Sequence, residues 1–376
     1  MTTIRIPAMA VVLILGGKNA PLAETAALFG AAASSPWDVN QPDSALESLH
    51  AALSATPQVR VCMLRSHAKG RKTVATAARK HGAKTICIRL PGAEDVDAVA
   101  ERIDAVYDVA GPEDLIVETV PMSVDRRIDH GPFDIIGDPH GCVHELLLLL
   151  VLLGHAVQTD EGFELIAHAA GRKVILLGDL TDRGPNSLLT MELARELQER
   201  YGALITRGNH DDKLRRWLLG RKVEVRAGLA TTVAELEHMP EAWRHDMAAW
   251  IETFESHYVL DDGRLIVAHA GLAEEHHGRS TNGAMAFAMY GEVTGDIDEN
   301  DVPIAKDWAL TYTGSATIVH GHVVHKEPRE INNVVAIDTG CAFGNRLTAY
   351  RWPERTFESV PAQEAYFDSH TRALEN

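Results

Sequence analysis

Residues 173–187, KVILLGDLTDRGPNS, decide how this chain is read. Lys173 to Leu177 is an aliphatic, β-branched run without polar interruption after its first residue, the pattern of a buried parallel strand. Gly178 breaks it, Gly184 and Pro185 shape the turn that follows, and a helix-like stretch begins soon after. Between them stand two carboxylates, Asp179 and Asp182, and the guanidinium of Arg183. Asp179 is thus predicted at the carboxyl end of a strand, where open α/β sheets place their ligands.

Further apolar runs end in the same way. FDIIGDPHGC offers Asp138 and His140, LITRGNHDD offers Asn209 and His210, LIVAHAGL offers His269, and ATIVHGHVVH offers His322. Taken singly, any of these could cap a helix or sit satisfied in a core. Together, each beside a glycine-bearing turn, they are hard to explain as packing. Carboxylates, imidazoles and one amide oxygen suit a divalent ion such as Mn²⁺, Fe²⁺, Zn²⁺ or Ni²⁺, whereas a structural zinc site would want thiolates. Two such ions need a shared carboxylate, and Asp179 is the natural bridge. Asp182 is then free to orient a histidine. His320 and His325 flank His322 but alternate away from it along the strand, and His276 and His277 are expected on an exposed loop.

The chain has 376 residues, long for one core and suited to two domains. Residues 1–120 alternate strand and helix in a smaller α/β domain, with strands at 11–15, 59–64 and 85–90 and helices at 20–29 and 69–81. A proline-bounded polar stretch at 121–132 reads as a linker, residues 133–360 as the second domain and 361–376 as a loosely held tail. A net charge of −17 argues against general attachment to nucleic acid or an anionic membrane. The apolar run 146–153 is far shorter than the roughly 20 residues of a membrane helix, and 6–15 lacks a convincing cleavage site. Four scattered cysteines, Cys62, Cys87, Cys142 and Cys341, read as reduced thiols in a cytoplasmic protein.

The motifs GD-x-HG, GD-x-x-DRG and GNHD, a later His-x-Gly and a Gly-His pair resemble, in that order, those of the calcineurin-like metallophosphoesterases, in the branch containing the phosphoprotein phosphatases. GPFDIIGDPHGC, GLATTVAELE, YGEVTGDIDENDVPIAKDWALTYTG and IDTGCAFGNRLTAYRWPE further resemble the PrpE-type dinucleoside tetraphosphatases and the phosphatase module of bacterial polynucleotide kinase-phosphatases. The resemblance covers residues 132–355 and implies a four-layer α/β/β/α sandwich holding two divalent metal ions, with Mn²⁺ foremost. It makes Asp138, His140 and Asp179 ligands of one ion, and Asp179, Asn209, His269 and His322 ligands of the other. Arg183 would bind phosphate oxygens, and His210, paired with Asp182, would protonate the leaving oxygen after in-line attack of water activated between the metals. Asp338 matches a position near the site. Pro139 and Val323 depart from the usual residues without removing a ligand.

Implied substrates are nucleotidic, a dinucleoside polyphosphate or a polynucleotide-end phosphate. A phosphoprotein phosphatase is the alternative within the enzymes, and a non-catalytic RNA- or partner-binding protein the alternative outside them. At the amino terminus, VVLILGGKNAPLAETAALF stands where the polynucleotide kinases carry a P-loop. A working loop needs G-x-x-x-x-G-K-[ST], yet Val12 replaces the first glycine and Asn19 the hydroxyl residue, so the loop reads as eroded. From Arg65 to Arg89 the chain carries Lys69, Arg71, Lys72, Arg79, Lys80 and Lys84 with no acid. That segment reads as the solvated face of a helix, with RNA contact as the sharper alternative.

Overall fold

The computed structural model describes residues 2–29, 33–36, 42–55, 60–64, 68–120, 122–226, 228–297 and 303–368. Two compact units emerge, residues 1–125 with 278–283, and residues 126–277 with 284–376.

In the amino-terminal unit five parallel strands lie in the order Ala33–Pro36, Arg60–Leu64, Ala10–Leu15, Lys84–Arg89, Ala105–Asp108. The first in sequence is central, and all six of its residues are buried. Val11, Leu13 and Leu15 meet Val74, Ala77 and Ala78 of the helix Ala68–Lys80 on one face. Val12 and Ile14 meet Leu22, Ala26 and Phe29 on the other. This period of two is the strand's own geometry. The helix expected at 20–29 is shorter, Leu22–Ala27, because the chain enters it through Pro21 and its last turn closes on Leu28. The apolar run 6–15 is not one element: Thr2–Pro7 is a separate strand paired with Leu115–Val120, and Ala10–Leu15 begins anew after Pro7.

The basic segment is partly structural. Arg71 is buried, donating from Nε and Nη2 to Glu101 at 2.5 and 2.9 Å. Arg89 pairs with Asp108 and Lys84 with Asp104. Lys69, Lys72 and Lys80 remain on the exposed face of their helix.

In the carboxyl-terminal unit two sheets stack. The first runs Leu204–Ile205, Lys173–Leu176, Phe133–Ile136, Arg346–Trp352, Thr356–Pro361, its first three strands parallel. The second runs Arg329–Ile331, Val334–Ala336, Thr317–His320, Leu265–Ala268, His257–Leu260, with the short strand Asp125–Arg126 on its edge. Phe133, Ile135, Ile175 and Leu177 of the first sheet pack against Leu265, Val267, Val319 and Val335 of the second. Outward-facing Ile136, Val174 and Leu176 pack on helices including Val143–Leu153 and Ser187–Tyr201. Ile266 and Ile318 face Trp308, Tyr312 and Ala288 of the helix Asn282–Tyr290 on the far side. Four layers result, the α/β/β/α arrangement expected.

Two expectations shift. The tail is not loose from 361 onward: Tyr366 and Phe367 donate their backbone N–H groups to the Ala342 carbonyl at 3.0 Å, and residues 369–376 lie outside those described. His276 and His277 are half-buried rather than exposed, their rings packed against Phe287 and Tyr312. Among the described residues no helix is long and apolar enough to cross a membrane.

Candidate metal centre

Six strands deliver the site. Phe133–Ile136, Lys173–Leu176 and Leu204–Ile205 end in parallel in one sheet, and Leu265–Ala268, Thr317–His320 and Val334–Ala336 in the other. Just beyond those ends stand Asp138 and His140, Asp179, Asn209 and His210, His269, His322, and Asp338. Asp138, His140, Asp179, His269 and Asp338 are each at most 3 % exposed.

Asp179 is the meeting point. Its Oδ2 lies 3.5 Å from His140 Nε2, 3.5 Å from His269 Nε2 and 3.9 Å from His210 Nε2. Ligand atoms of His140, Asp179 and His210 cluster within 4.8 Å on one side, and those of Asp179, His269 and His322 on the other. His322 donates its backbone N–H to Asp138 Oδ2 at 2.9 Å, bringing Asp138 to the same place. With Asn209 Oδ1 beside His269, all seven expected metal-ligand and acid positions lie together, and Asp338, whose Oδ2 is buried without a partner among the described residues, lies close enough for Asp138 to feel its charge.

Tautomers follow from the partners. Carbonyls only accept, so His140 Nδ1–H donates to Thr181 at 2.8 Å and His269 Nδ1–H to Leu177 at 2.9 Å. Each Nε2 then carries a lone pair facing the cluster, the form that binds metal. Burial holds His140 well below the usual imidazole range, and burial with the neighbouring His269 pushes His322 down to about 3. His269 Nε2 lies 3.0 Å from Asn209 Oδ1, two acceptors facing one another with no proton between them. Burial together with Asp338 and Asp179 holds Asp138 well above the ordinary carboxylate range, and its Oδ1 has no donor among the described residues. Crowded lone pairs and an orphaned buried carboxylate oxygen are what divalent cations relieve, so the residues present fit such ions.

The loops are held under strain. His140, Asp179, Asp182, Arg183 and His322 all have positive φ, 42° to 74°, a region that costs a side-chain-bearing residue of order 1–2 kcal/mol. Glycines make the close approaches possible: a Cβ on Gly208 would lie 2.1 Å from Asp179 Oδ1, and one on Gly321 would lie 1.8 Å from Asp138 Oδ1.

The Asp182 carboxylate accepts twice, from His210 Nδ1–H at 2.5 Å and from the Thr232 hydroxyl at 2.6 Å. Arg183 spreads its guanidinium over Phe343, 5.2 Å from the ring centre, and reaches His140 Nε2 at 2.7 Å and His210 Nε2 at 3.1 Å. Its Nη atoms thus border the metal-ligand cluster.

Several supporting residues escaped the sequence reading. Asp211 accepts the backbone N–H groups of Asp179, Leu180 and Gly208 at 2.8–3.0 Å, tying two strand-end loops together. Burial and nearby Asp179 push its pKa up to about 7. Glu235 accepts from the N–H groups of Ser187 and Leu188, and Ser187 meets Thr232 at 2.9 Å. Thr232 and Glu235 lie in GLATTVAELE, and Asp211 directly follows Asn209-His210, so the signal was adjacency to a motif.

The calcineurin-like phosphoesterase pattern matches residues 131–337, over half the chain. The chain belongs to that family. It is a hydrolase whose family uses a dinuclear divalent metal centre. Bis(5'-nucleosyl)-tetraphosphatase PrpE of Geobacillus sp. (strain WCH70) is 44 % identical over 246 residues, 64 % of this chain and 99 % of the relative. The protein of the same name from Bacillus subtilis (strain 168) is 39 % identical over 246 residues, 64 % of this chain and 99 % of that one. A solved protein serine/threonine phosphatase from Saccharomyces cerevisiae aligns over 66 % of this chain and 84 % of its own, with 12 % identity and a TM-score of 0.42.

Proposed function

We propose that the protein hydrolyses phosphate esters or anhydrides of nucleotidic substrates, dinucleoside polyphosphates foremost and polynucleotide-end phosphates second. The observation that carries this reading is the convergence of three imidazoles on the single buried carboxylate oxygen of Asp179, with Arg183 beside them. The PrpE relatives, matched over nearly their whole length, support the substrate class.

Asp138, His140 and Asp179 would hold one divalent cation, and Asp179, Asn209, His269 and His322 the other, Mn²⁺ suiting this oxygen-and-imidazole set. Bound there, the pair supplies Lewis-acid charge to a phosphate and lowers the pKa of water. Everything else falls to the chain. Arg183 presents a planar fork to phosphate oxygens, its orientation kept by Phe343. His210 receives a proton on Nε2 and delivers it to the leaving oxygen, while Asp182 stabilises the imidazolium from Nδ1. Thr232 holds Asp182 so that its Oδ2 faces the ring. Asp338 lies near enough to Arg183 to feel the charge of its guanidinium.

The amino-terminal unit keeps strand, glycine turn and helix in the order of a P-loop kinase module, and we assign it no phosphotransfer. Gly17 N–H is spent on the Pro91 carbonyl at 3.0 Å and Ala20 N–H on Gly17 at 3.0 Å, whereas a phosphate cradle needs such groups free.

Rates for diadenosine tetraphosphate, a 3′-phosphorylated oligonucleotide, a 2′,3′-cyclic nucleotide and a phosphopeptide, compared after chelation and Mn²⁺ addition, test the reading. Fastest turnover of diadenosine tetraphosphate is expected. Preference for the phosphopeptide would transfer the assignment to the phosphoprotein phosphatases.

A further inference from the structure

Away from Asp179, two thiols and a carboxylate come together inside the carboxyl-terminal unit. Cys142, Glu145 and Cys341 are all buried, and each offers a ligand atom within 4.8 Å of the others. The scattered cysteines of the sequence thus include one close pair. Cys142 is the N-cap of the helix Val143–Leu153, makes no side-chain bond to it, and Glu145 is its third residue. A glutamate at that position ordinarily reaches back to the N-cap N–H. Here the Cys142 N–H goes to the Pro139 carbonyl at 2.8 Å, and Glu145 turns inward to 0 % exposure.

The carboxylate is also oriented. Gln363 N–H at 3.0 Å and the Tyr366 hydroxyl at 2.7 Å both donate to Oε1. That leaves Oε2 buried without a partner among the described residues. A buried carboxylate oxygen lacking a donor is strongly unfavourable and calls for positive charge. Two buried sulfurs and one buried oxygen form the donor set of a borderline, thiophilic cation, and the hydrogen bonds to Oε1 are the outer support such ligands usually have.

We propose that Cys142, Cys341 and Glu145 bind a zinc-class divalent cation at a site separate from the centre around Asp179. Two S–H protons leave to solvent as two sulfur–metal bonds form, Glu145 Oε2 gives the third bond, and a fourth position stays open to water. Cys142 stands two residues after His140, and Cys341 opens the turn that ends at Phe343, on which Arg183 stacks. The cation therefore staples the loop of a metal ligand to the turn that supports the phosphate-binding arginine. The Asp179 cluster offers no sulfur, so the two sites sort metals by donor type.

Full-length protein, reduced and stripped with chelator, is titrated with Co²⁺ while thiolate-to-metal charge-transfer absorption is followed. Cobalt around Asp179 has no sulfur ligand and is silent in that band. The band is expected to saturate with one cobalt per chain, to be displaced by Zn²⁺, and to persist in Asp179→Asn. Cys142→Ser and Cys341→Ser should abolish it, and Glu145→Gln should weaken the affinity about 10-fold or more. If a serine variant does not fold, the wild-type titration and a zinc-dependent rise in Tm that Glu145→Gln reduces decide the matter. No band in the wild type, a band that survives in a folded serine variant, or a Cys142–Cys341 disulfide in protein purified without oxidant would overturn the proposal. None of these readouts depends on hydrolysis, so the failure of either proposal leaves the other standing.

Discussion

At Leu15 and again at Leu177 a buried parallel strand gives way to a glycine turn that leads towards a helix. After Leu15 the turn is held by backbone alone: Gly17 donates to Pro91, Ala20 to Gly17 and Leu22 to Ala20, and a helix of only six residues follows. After Leu177 the turn closes one bond of its own, Gly184 N–H to the Asp182 carbonyl at 2.8 Å, and leans on distant residues for the rest. The amides of Asp179 and Leu180 are held by Asp211 from the first turn of the helix Asn209–Leu218, Asp182 by Thr232 from another helix, and three of the turn's charged residues sit at positive φ. A strand end supplies an address, and a site appears only where several ends deliver complementary groups and outside residues keep strained side chains in place.

Replacing Asp179 should break the contrast most severely. Asp179→Asn removes the charge on which both ligand clusters centre and should lower phosphoester hydrolysis by about 10³-fold or more, ~4 kcal/mol of barrier. Full activity, measured with a chromogenic phosphate ester and Mn²⁺, would mean the second turn is no more chemical than the first. His210→Gln comes next. Loss of the proton donor should cut kcat by roughly 10²-fold or more with little change in KM, and the loss should shrink for substrates whose leaving group needs no proton. A rise in KM with kcat unchanged would place His210 in recognition instead. Thr232→Val leaves the Asp182 carboxylate with one partner, His210, and should cost about 10-fold in kcat. No change there would show that His210 alone orients Asp182.

Acid should weaken the carboxyl-terminal unit. His257 is fully buried, and burial, helped by His277 and His276, pushes its pKa down to about 3. The unfolded chain, with a histidine near 6.5, binds the proton first, so stability is retained above that pH and falls as pH drops from about 6.5 towards 3, by order 1 kcal/mol per unit. Urea unfolding of His257→Gln should show a shallower decline between pH 6 and pH 4 than the wild type. An unchanged slope would assign acid sensitivity to other groups. The smallest effect belongs to the first turn: Lys18→Ala should leave hydrolysis within about twofold, within the scatter of a surface substitution. A tenfold loss would give that turn a part in the chemistry.

Much of this was legible because each ligand-type side chain follows an apolar run and neighbours a glycine turn. The strands at Phe133–Ile136 and Lys173–Leu176, and the donors after them, could be read from pattern alone. Supporting contacts could not. Asp211 and Thr232 act on residues 31 to 50 positions away, a distance that no local periodicity encodes. Arg71 reads as one more cation on a helix face until its pairing with Glu101 across 30 residues is seen. Cys142 and Cys341 likewise meet only through the fold.

Anomalous diffraction from crystals of the full chain soaked with Mn²⁺ tests the account most directly. Two peaks are predicted, flanking the Asp179 carboxylate, one within reach of Asp138 and His140 and the other of Asn209, His269 and His322. A lone peak, or peaks that do not share Asp179, would contradict it.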